Sequence, residues 1–178
     1  RRPFFTEGAQ LLHITNNFLY TRRIGARPTG PALGDFVDYP THSTILGAAK
    51  VTGRLDSGTS LGVLAAVTDE EFAEIANVDS PDITRTRVTA RTAYGTARVQ
   101  QEFGELASTA SVGVGFVHRD LAAGDPLAAR LVRHYFVAAG DTTLRLKGGE
   151  YELRAAAAGT LLNGEEAAIE RVQRSSVL

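Results

Sequence analysis

Apolar and polar residues alternate along the stretch from Thr44 to Val67, and this pattern predicts two strands. One face of the first strand holds Ile45, Gly47, Ala49, Val51 and Gly53, and its other face holds Lys50, Thr52 and Arg54. In the second, Leu61, Val63, Ala65 and Val67 alternate with Ser60, Gly62, Leu64 and Ala66. A period of two is typical of a strand with two unlike faces. Asp56-Ser57-Gly58 lies between the strands and favours a tight turn, so the stretch predicts a β-hairpin.

Later stretches repeat the pattern of long strand, turn and long strand. Residues 84–103 predict one long strand with Arg85, Arg87 and Arg91 on one face, and residues 106–119 predict another. Residues 131–147 and 150–162 predict a hairpin closed by Gly148-Gly149, a pair that two-residue turns favour. The alanine run 155–158 alone would favour a helix, but the turn and the flanking alternation favour a strand.

Two segments predict short helices. Thr68 is placed to cap a helix near 69–76, with Glu71 as its capping-box partner. Ala168, Ile169 and Val172 have helical spacing after two glutamates, which predicts an amphipathic helix over 165–175. Residues 26–43 contain three prolines and two glycines and predict a loop.

Taken in order, the pattern predicts six or seven antiparallel strands in an up-and-down meander. Most of the predicted strands are much longer than the common strand length of about 5–6 residues. Long strands with tight turns at one end and longer loops at the other are typical of outer-membrane β-barrels. We therefore expect an all-β fold that is either part of such a barrel or an open curved sheet. Closure commonly needs about eight strands, so two edges should stay unpaired.

Composition narrows the classes of function. The 178-residue chain has a formal net charge of −1, which gives no electrostatic reason to expect a nucleic-acid partner. It has no cysteine, which excludes disulfides and thiolate metal sites. No run of about 18 apolar residues is present, so no transmembrane helix is predicted. Because residue 1 is not methionine, we expect an internal piece of a longer protein, with 1–43 leading into a β-domain at 44–178.

Charged residues opposite apolar ones are the candidates for a hydrated interior surface, because arginines in a row cannot point into an apolar core. These candidates are Lys50, Arg54, Arg85, Arg87 and Arg91, with Arg22 and Arg23 as further members. The aromatic residues suited to stacking on sugar rings are Phe4, Phe5, Tyr20 and Tyr94. No metal site is predicted, because Asp35, Asp38 and His42 lack a regular ligand spacing.

A carbohydrate-processing enzyme is an alternative of a different class. Such an enzyme needs two carboxylates facing each other about 5–10 Å apart. The candidates Glu70, Glu71, Asp120 and Glu152 show no such pairing in the sequence, and no catalytic residue is assigned. A soluble sugar-binding β-domain that uses the aromatic residues is the third alternative.

Several motifs resemble those of a bacterial family of unassigned activity. RRPFFTEGAQLL, FLYTRRIG and THSTILGAAKVTGR are similar to the family patterns E-R-R-P-F-F-x-E-G, F-Y-S-R-R-I-G and T-x-I-L-G-A-A-K-x-T-G-R. EEAAIERVQRSS resembles the family's stretch ahead of a further strand, whereas Thr6 and Thr21 depart from the usual residues. In that family a domain similar to carbohydrate-binding module family 9 precedes a long, β-rich, barrel-like domain. The resemblance implies that this chain is the start of the β-rich domain.

Pattern and resemblance together lead us to expect a non-catalytic portion of a bacterial outer-membrane β-barrel, linked to carbohydrate binding or uptake. The expected partner is the lipid bilayer, with carbohydrate reached through the rest of the protein and no nucleic acid. No cofactor is expected. The expected location is the outer membrane, with the periplasm or secretion as the alternative.

Overall fold

The computed structural model describes Phe4, Leu12 and residues 23–175, and it shows a mainly antiparallel β fold. A larger sheet contains six strands, which in chain order are β2 (Ile45–Arg54), β3 (Thr59–Thr68), β6 (Thr92–Phe103), β7 (Ser108–Arg119), β8 (His134–Leu146) and β9 (Tyr151–Asn163). A smaller sheet contains β1 (Phe36–Asp38), β4 (Glu71–Asn77) and β5 (Ser80–Thr89). The helix α1 (Glu166–Ser175) follows β9. The predicted all-β fold class and the C-terminal helix are confirmed.

The larger sheet is an up-and-down meander with one insertion. Its strand order is β2-β3-β6-β7-β8-β9, and every neighbouring pair is antiparallel. The hairpin β4–β5 is inserted between β3 and β6 and pairs with β1 instead. Within the described residues β2 and β9 are the two edges, so the sheet is open, as a sheet with too few strands for closure must be.

The two ends of the larger sheet differ in their connections. Tight turns join β2 to β3, β6 to β7 and β8 to β9, and Gly104 and Gly148 occupy positive φ angles of 71° and 68° there. Only glycine adopts such angles without steric strain. The opposite end, here called the loop end, carries the smaller sheet, residues 120–133 and α1. Among the residues described, no helix has the length and apolar character needed to cross a membrane.

The prediction of a helix near 69–76 was wrong, because this segment forms strand β4. Ala73 and Ile75 are buried while Phe72 and Glu74 are exposed, which is a strand period. Pairing with β5 provides hydrogen-bond partners for the backbone of β4. Thr68 is the last residue of β3 and does not cap a helix. The Glu71 carboxylate accepts a hydrogen bond from the Thr44 N–H, an interaction that the local capping pattern does not reveal.

The single long strand predicted over 84–103 is two strands in two sheets. The chain leaves the smaller sheet after Thr89 and enters the larger one at Thr92. Ala90 is fully buried there beside Leu121 and Leu127, and the Arg91 carbonyl accepts a hydrogen bond from the Asp120 N–H. Apolar contact with the loop 120–133 therefore stabilises the break between β5 and β6. The alternation of polar and apolar residues in the sequence continues across this break.

The strand prediction for the alanine run 155–158 is confirmed, because the run lies in the middle of β9. Its backbone pairs residue by residue with Ala139–Thr142 of β8. Helix propensity is a weak preference that such pairing overrides. The predicted hairpin over 44–67 is also confirmed as β2 and β3.

Candidate functional site

Cross-strand register places all the acidic and basic residues of the larger sheet's strands on one face. Residues directly opposite each other in an antiparallel pair lie on the same face, and one such row runs Arg54, Ser60, Gln100, Ser111, Asp141, Ala156. We call this side the polar face. Its charged members are Lys50, Arg54, Arg98, Glu102, Arg119, Asp141, Arg145, Glu152 and Arg154. No other Asp, Glu, Lys or Arg occurs in the six strands.

The opposite side, here called the apolar face, is apolar and open to solvent. One of its rows runs Val51, Val63, Ala97, Val114, Ala138, Gly159. Large side chains on it are widely exposed, as shown by Val112 at 58% and Leu161 at 71%. Gly95 is buried, and the Phe116 ring lies over it so closely that a Cβ there would sit 2.0 Å from a ring carbon.

Two histidines mark the margin of the apolar face at the loop end. His118 and His134 are direct cross-strand partners, and their rings stack with centroids 4.7 Å apart. Their Nδ1 atoms are 3.2 Å apart. The next pair into the apolar face is Phe116 and Phe136. Aromatic and amphipathic rings thus border the apolar surface where it meets the loops.

A half-buried ion pair joins three strands on the polar face. The Arg98 guanidinium donates to both Asp141 carboxylate oxygens at 3.1 and 3.3 Å, and to Ser111 Oγ at 3.0 Å. Ser111 Oγ donates in turn to Asp141 Oδ1 at 2.6 Å. The side chains are only 14% and 27% exposed, so these charges are sheltered while they remain hydrogen-bonded to each other.

Nearer to the tight turns the charges form exposed pairs. Glu152 accepts hydrogen bonds from Arg145 and Arg154, and these bonds hold its pKa below the usual value for a glutamate. Arg145 also donates to the carbonyls of residues 106 and 107, which ties β8 to the β6–β7 turn. Arg54 pairs with Glu102 at 2.9 Å. Arg145 thus joins β8 to β9, Arg54 joins β2 to β6, and Arg154 pairs with Glu152 within β9.

Towards the loop end the central strands of the polar face carry buried apolar side chains, although Lys50 and Arg119 also lie there. Leu64 and Ala66 are 1% and 3% exposed, and they form a cluster with Leu12 and Ile24. Tyr94 packs against the same cluster. Beside it, Lys50 Nζ donates to the Phe4 carbonyl at 2.6 Å and lies 5.0 Å from the centre of the Phe4 ring.

The structure places the predicted charged residues in separate parts of the fold. Lys50 and Arg54 lie on the polar face of the larger sheet. Arg85 and Arg87 lie in the smaller sheet, where Arg85 pairs with a glutamate of β4 and Arg87 binds both Glu70 and Asp125. Arg91 stands between the sheets and donates to Asp69, whose pKa is lowered by that bond. Arg23 is exposed before β1, and Arg22 lies outside the described residues.

The predicted aromatic residues do not come together as a platform within the described part of the chain. Phe4 lies against Lys50, whereas Tyr94 packs into the covered cluster of Leu64 and Ala66. Phe5 and Tyr20 lie outside the described residues.

The candidate carboxylates have separate structural partners. Glu70 binds Arg87, Glu71 accepts from a backbone N–H, and Glu152 binds two arginines at the opposite end of the larger sheet. Within the residues that the structure describes, no three His, Asp or Glu side chains are grouped to hold a metal ion.

Sequence reasoning missed most of the polar face. The prediction did not include Arg98, Asp141, Arg145 and Arg154, although each of the three arginines lies between two apolar residues of its strand. Arg98, for example, lies between Ala97 and Val99. The signal was therefore present, but assigning one face across six strands needs their register.

The chain belongs to the DUF5916 family, described as a domain of unknown function, which it matches over residues 1–125. No curated protein and no solved structure matches the chain.

Proposed function

We propose that this chain forms part of the wall of a bacterial outer-membrane β-barrel, with its apolar face towards lipid and its polar face towards the interior. The observation that carries the proposal is the segregation of every acidic and basic strand residue of the larger sheet onto one face. Membrane barrels need this segregation because a charge facing lipid is strongly unfavourable.

Strand length supports the proposal. The six strands contain 10 to 13 residues, and a membrane-spanning strand needs about 9–11. On β9 the outward positions are Tyr151, Leu153, Ala155, Ala157, Gly159 and Leu161. At about 3.3 Å per residue and a tilt of about 45°, this span rises about 23 Å, which is close to the apolar band of about 25 Å in known barrels.

The size of the apolar surface points the same way. Three adjacent rows are apolar across all six strands, from the row of Ala49 to the row of Gly53. They cover roughly 600 Å², taking about 4.8 Å between strands and about 20 Å along them. This area equals the upper end of the range for the largest exposed apolar patch on soluble monomers, which is about 300–600 Å². The apolar surface also extends to both open edges of the sheet.

Closure of the barrel requires strands beyond those described. Parts of the same protein outside this chain are the proposed source, and they would pair with the edges β2 and β9. From the resemblance of RRPFFTEGAQLL and THSTILGAAKVTGR we further propose that a sugar-binding domain precedes the barrel. The barrel would then serve carbohydrate uptake or surface display.

Fluorophore labelling along the alanine run 155–158 tests the proposal. All four alanines are exposed, and this chain has no cysteine of its own. Four single Ala→Cys variants of the full-length protein, labelled with an environment-sensitive fluorophore, are reconstituted in vesicles. We expect blue-shifted emission at 155 and 157 and water-like emission at 156 and 158.

Fractionation of cells provides the second test. We expect the full-length protein in the outer-membrane fraction, with a gel mobility that changes on heating. Recovery in the soluble periplasm, together with water-like emission at all four alanines, would remove the membrane proposal and make soluble sugar binding the hypothesis to test.

A further inference from the structure

Two histidines at the loop end have side chains that a barrel wall does not require. His118 of β7 and His134 of β8 are direct cross-strand partners, so the sheet backbone holds their Cβ atoms about 4.5–5.5 Å apart on one face. Both side chains are exposed. Because each lies on a strand, the pair is positioned more precisely than two histidines on loops would be.

The two ring nitrogens are close enough to share one cation. Their Nδ1 atoms lie 3.2 Å apart. Zinc–imidazole bonds are about 2.0–2.1 Å long, so two nitrogens bound to one ion are separated by about 2.9 Å at a right angle and about 3.3 Å at the tetrahedral angle. The observed distance lies in this range. Two unprotonated Nδ1 atoms at this distance repel each other through their lone pairs, so either a proton or a metal ion has to lie between them.

The strand neighbours of the pair favour a cation. In the same row lie Ala93 on β6 and Asn163 on β9, and the next row on this face holds Phe116 and Phe136. None of these side chains carries a positive charge that would repel a metal ion. Arg119 follows His118 directly, but it lies on the polar face, on the other side of the strand.

We propose that His118 and His134 form a bidentate site for a divalent first-row transition metal ion, which they bind through their Nδ1 atoms. Imidazole is a ligand suited to Ni²⁺, Cu²⁺ and Zn²⁺, and Cu²⁺ binds most tightly of the three. Among the described residues no third His, Asp or Glu joins the pair, so water completes the coordination of the ion.

Binding needs only a small movement of the two rings. They are stacked with an angle of 24° between their planes, so each ring turns about its Cβ–Cγ bond to direct Nδ1 at the shared ion. That torsion has a broad energy well in histidine. The site does not depend on the barrel proposal, because it needs only the pairing of β7 with β8.

Copper binding tests the site in the full-length protein. Wild type and variants are titrated with Cu²⁺, and the ion bound to nitrogen is counted by electron paramagnetic resonance. We expect His118→Gln and His134→Gln each to weaken the binding of one ion per chain by more than about tenfold, because the second imidazole of a chelate binds intramolecularly. His42→Gln is the matched control, since His42 is exposed in the loop before β2, and it should bind like wild type.

The double variant separates a shared ion from two independent ones. If one ion is shared, each single variant loses the same ion that the double variant loses. If each histidine binds its own ion, each single variant loses half of what the double variant loses, and the shared site is refuted. Wild-type affinity in either single variant would refute it as well.

Stability in zinc provides a second measurement. An ion that joins β7 to β8 binds only the folded protein, so Zn²⁺ should raise the urea midpoint and EDTA should reverse the increase. Each variant is compared with its own midpoint in EDTA, which removes any effect of the substitution on the metal-free fold. We expect the increase in wild type and His42→Gln and its loss in both single variants. An increase of wild-type size in His118→Gln would overturn the proposal.

Discussion

If the apolar face meets lipid, an arginine on that side of β9 should destabilise the folded protein, whereas an arginine on the other side should not. Ala157 is the central residue of β9 and lies on the apolar face opposite Gly140, whereas Ala156 lies on the polar face opposite Asp141. Both alanines are exposed. Ala157→Arg and Ala156→Arg therefore add the same side chain to adjacent positions of one strand and differ only in the face that receives it.

The expected magnitude follows from the depth of the site. An arginine on the lipid face at the bilayer midplane destabilises a barrel by about 2–4 kcal/mol. At about 1.4 kcal/mol per factor of ten, this corresponds to roughly a 25- to 700-fold loss in the folding equilibrium. In a soluble protein both exposed substitutions would stay within about 0.5 kcal/mol of wild type. Ala156→Arg should do so in either case.

The assay is urea-dependent folding of the full-length protein into lipid vesicles, with the folded fraction read from heat-modifiable gel mobility. We expect the folding midpoint of Ala157→Arg to fall far below that of Ala156→Arg. Equal midpoints for the two variants, both close to wild type, would show that the apolar face does not meet lipid.

Three further predictions concern stability, each measured as the change in the urea midpoint. Gly30→Ala should destabilise the folded protein by about 1–3 kcal/mol, because the new Cβ would lie 2.4 Å from a backbone oxygen of β5. Gly159→Ala is the control and should be nearly neutral, because a Cβ at position 159 meets nothing within 4 Å. Equal effects of the two substitutions would contradict the close contact at Gly30. Asp141→Asn should lower the stability by about 1–3 kcal/mol, because it removes the carboxylate charge that the sheltered Arg98 guanidinium binds. Arg54→Gln, which breaks the exposed pair with Glu102, should lower the stability by less than about 1 kcal/mol. A larger loss for Arg54→Gln than for Asp141→Asn would refute this reasoning. The hydrogen bonds from two arginines lower the pKa of Glu152 in the folded state. The contribution of Glu152 to stability is therefore present above its unfolded pKa and is lost as the pH falls through its folded pKa. The difference in stability between wild type and Glu152→Gln should close in acid, and a difference that stays constant with pH would argue against this linkage.

Part of the candidate site could be predicted from local alternation alone. Lys50 and Arg54 lie opposite Val51 and Gly53 within one strand, and a strand places neighbours on opposite sides whatever surrounds it. The same rule predicts the face of each residue on β7 and β9. It does not say which face of one strand joins which face of the next, so Arg98 and Asp141 could be brought together only by the register of β6, β7 and β8.

The sequence by itself determined the three hairpins of the larger sheet with their tight turns, the strand character of the alanine run 155–158 and the C-terminal helix, because each depends on neighbouring residues. The tertiary structure alone decided three other features: the break between β5 and β6, the strand β4 where a capping pattern favoured a helix, and the burial of Leu64 beneath Leu12. Each of these depends on hydrogen bonds or apolar contacts between segments far apart in the chain. Such contacts outweigh local preferences of a few tenths of a kcal/mol per residue, about the scale of helix propensity, and leave no local pattern in the sequence.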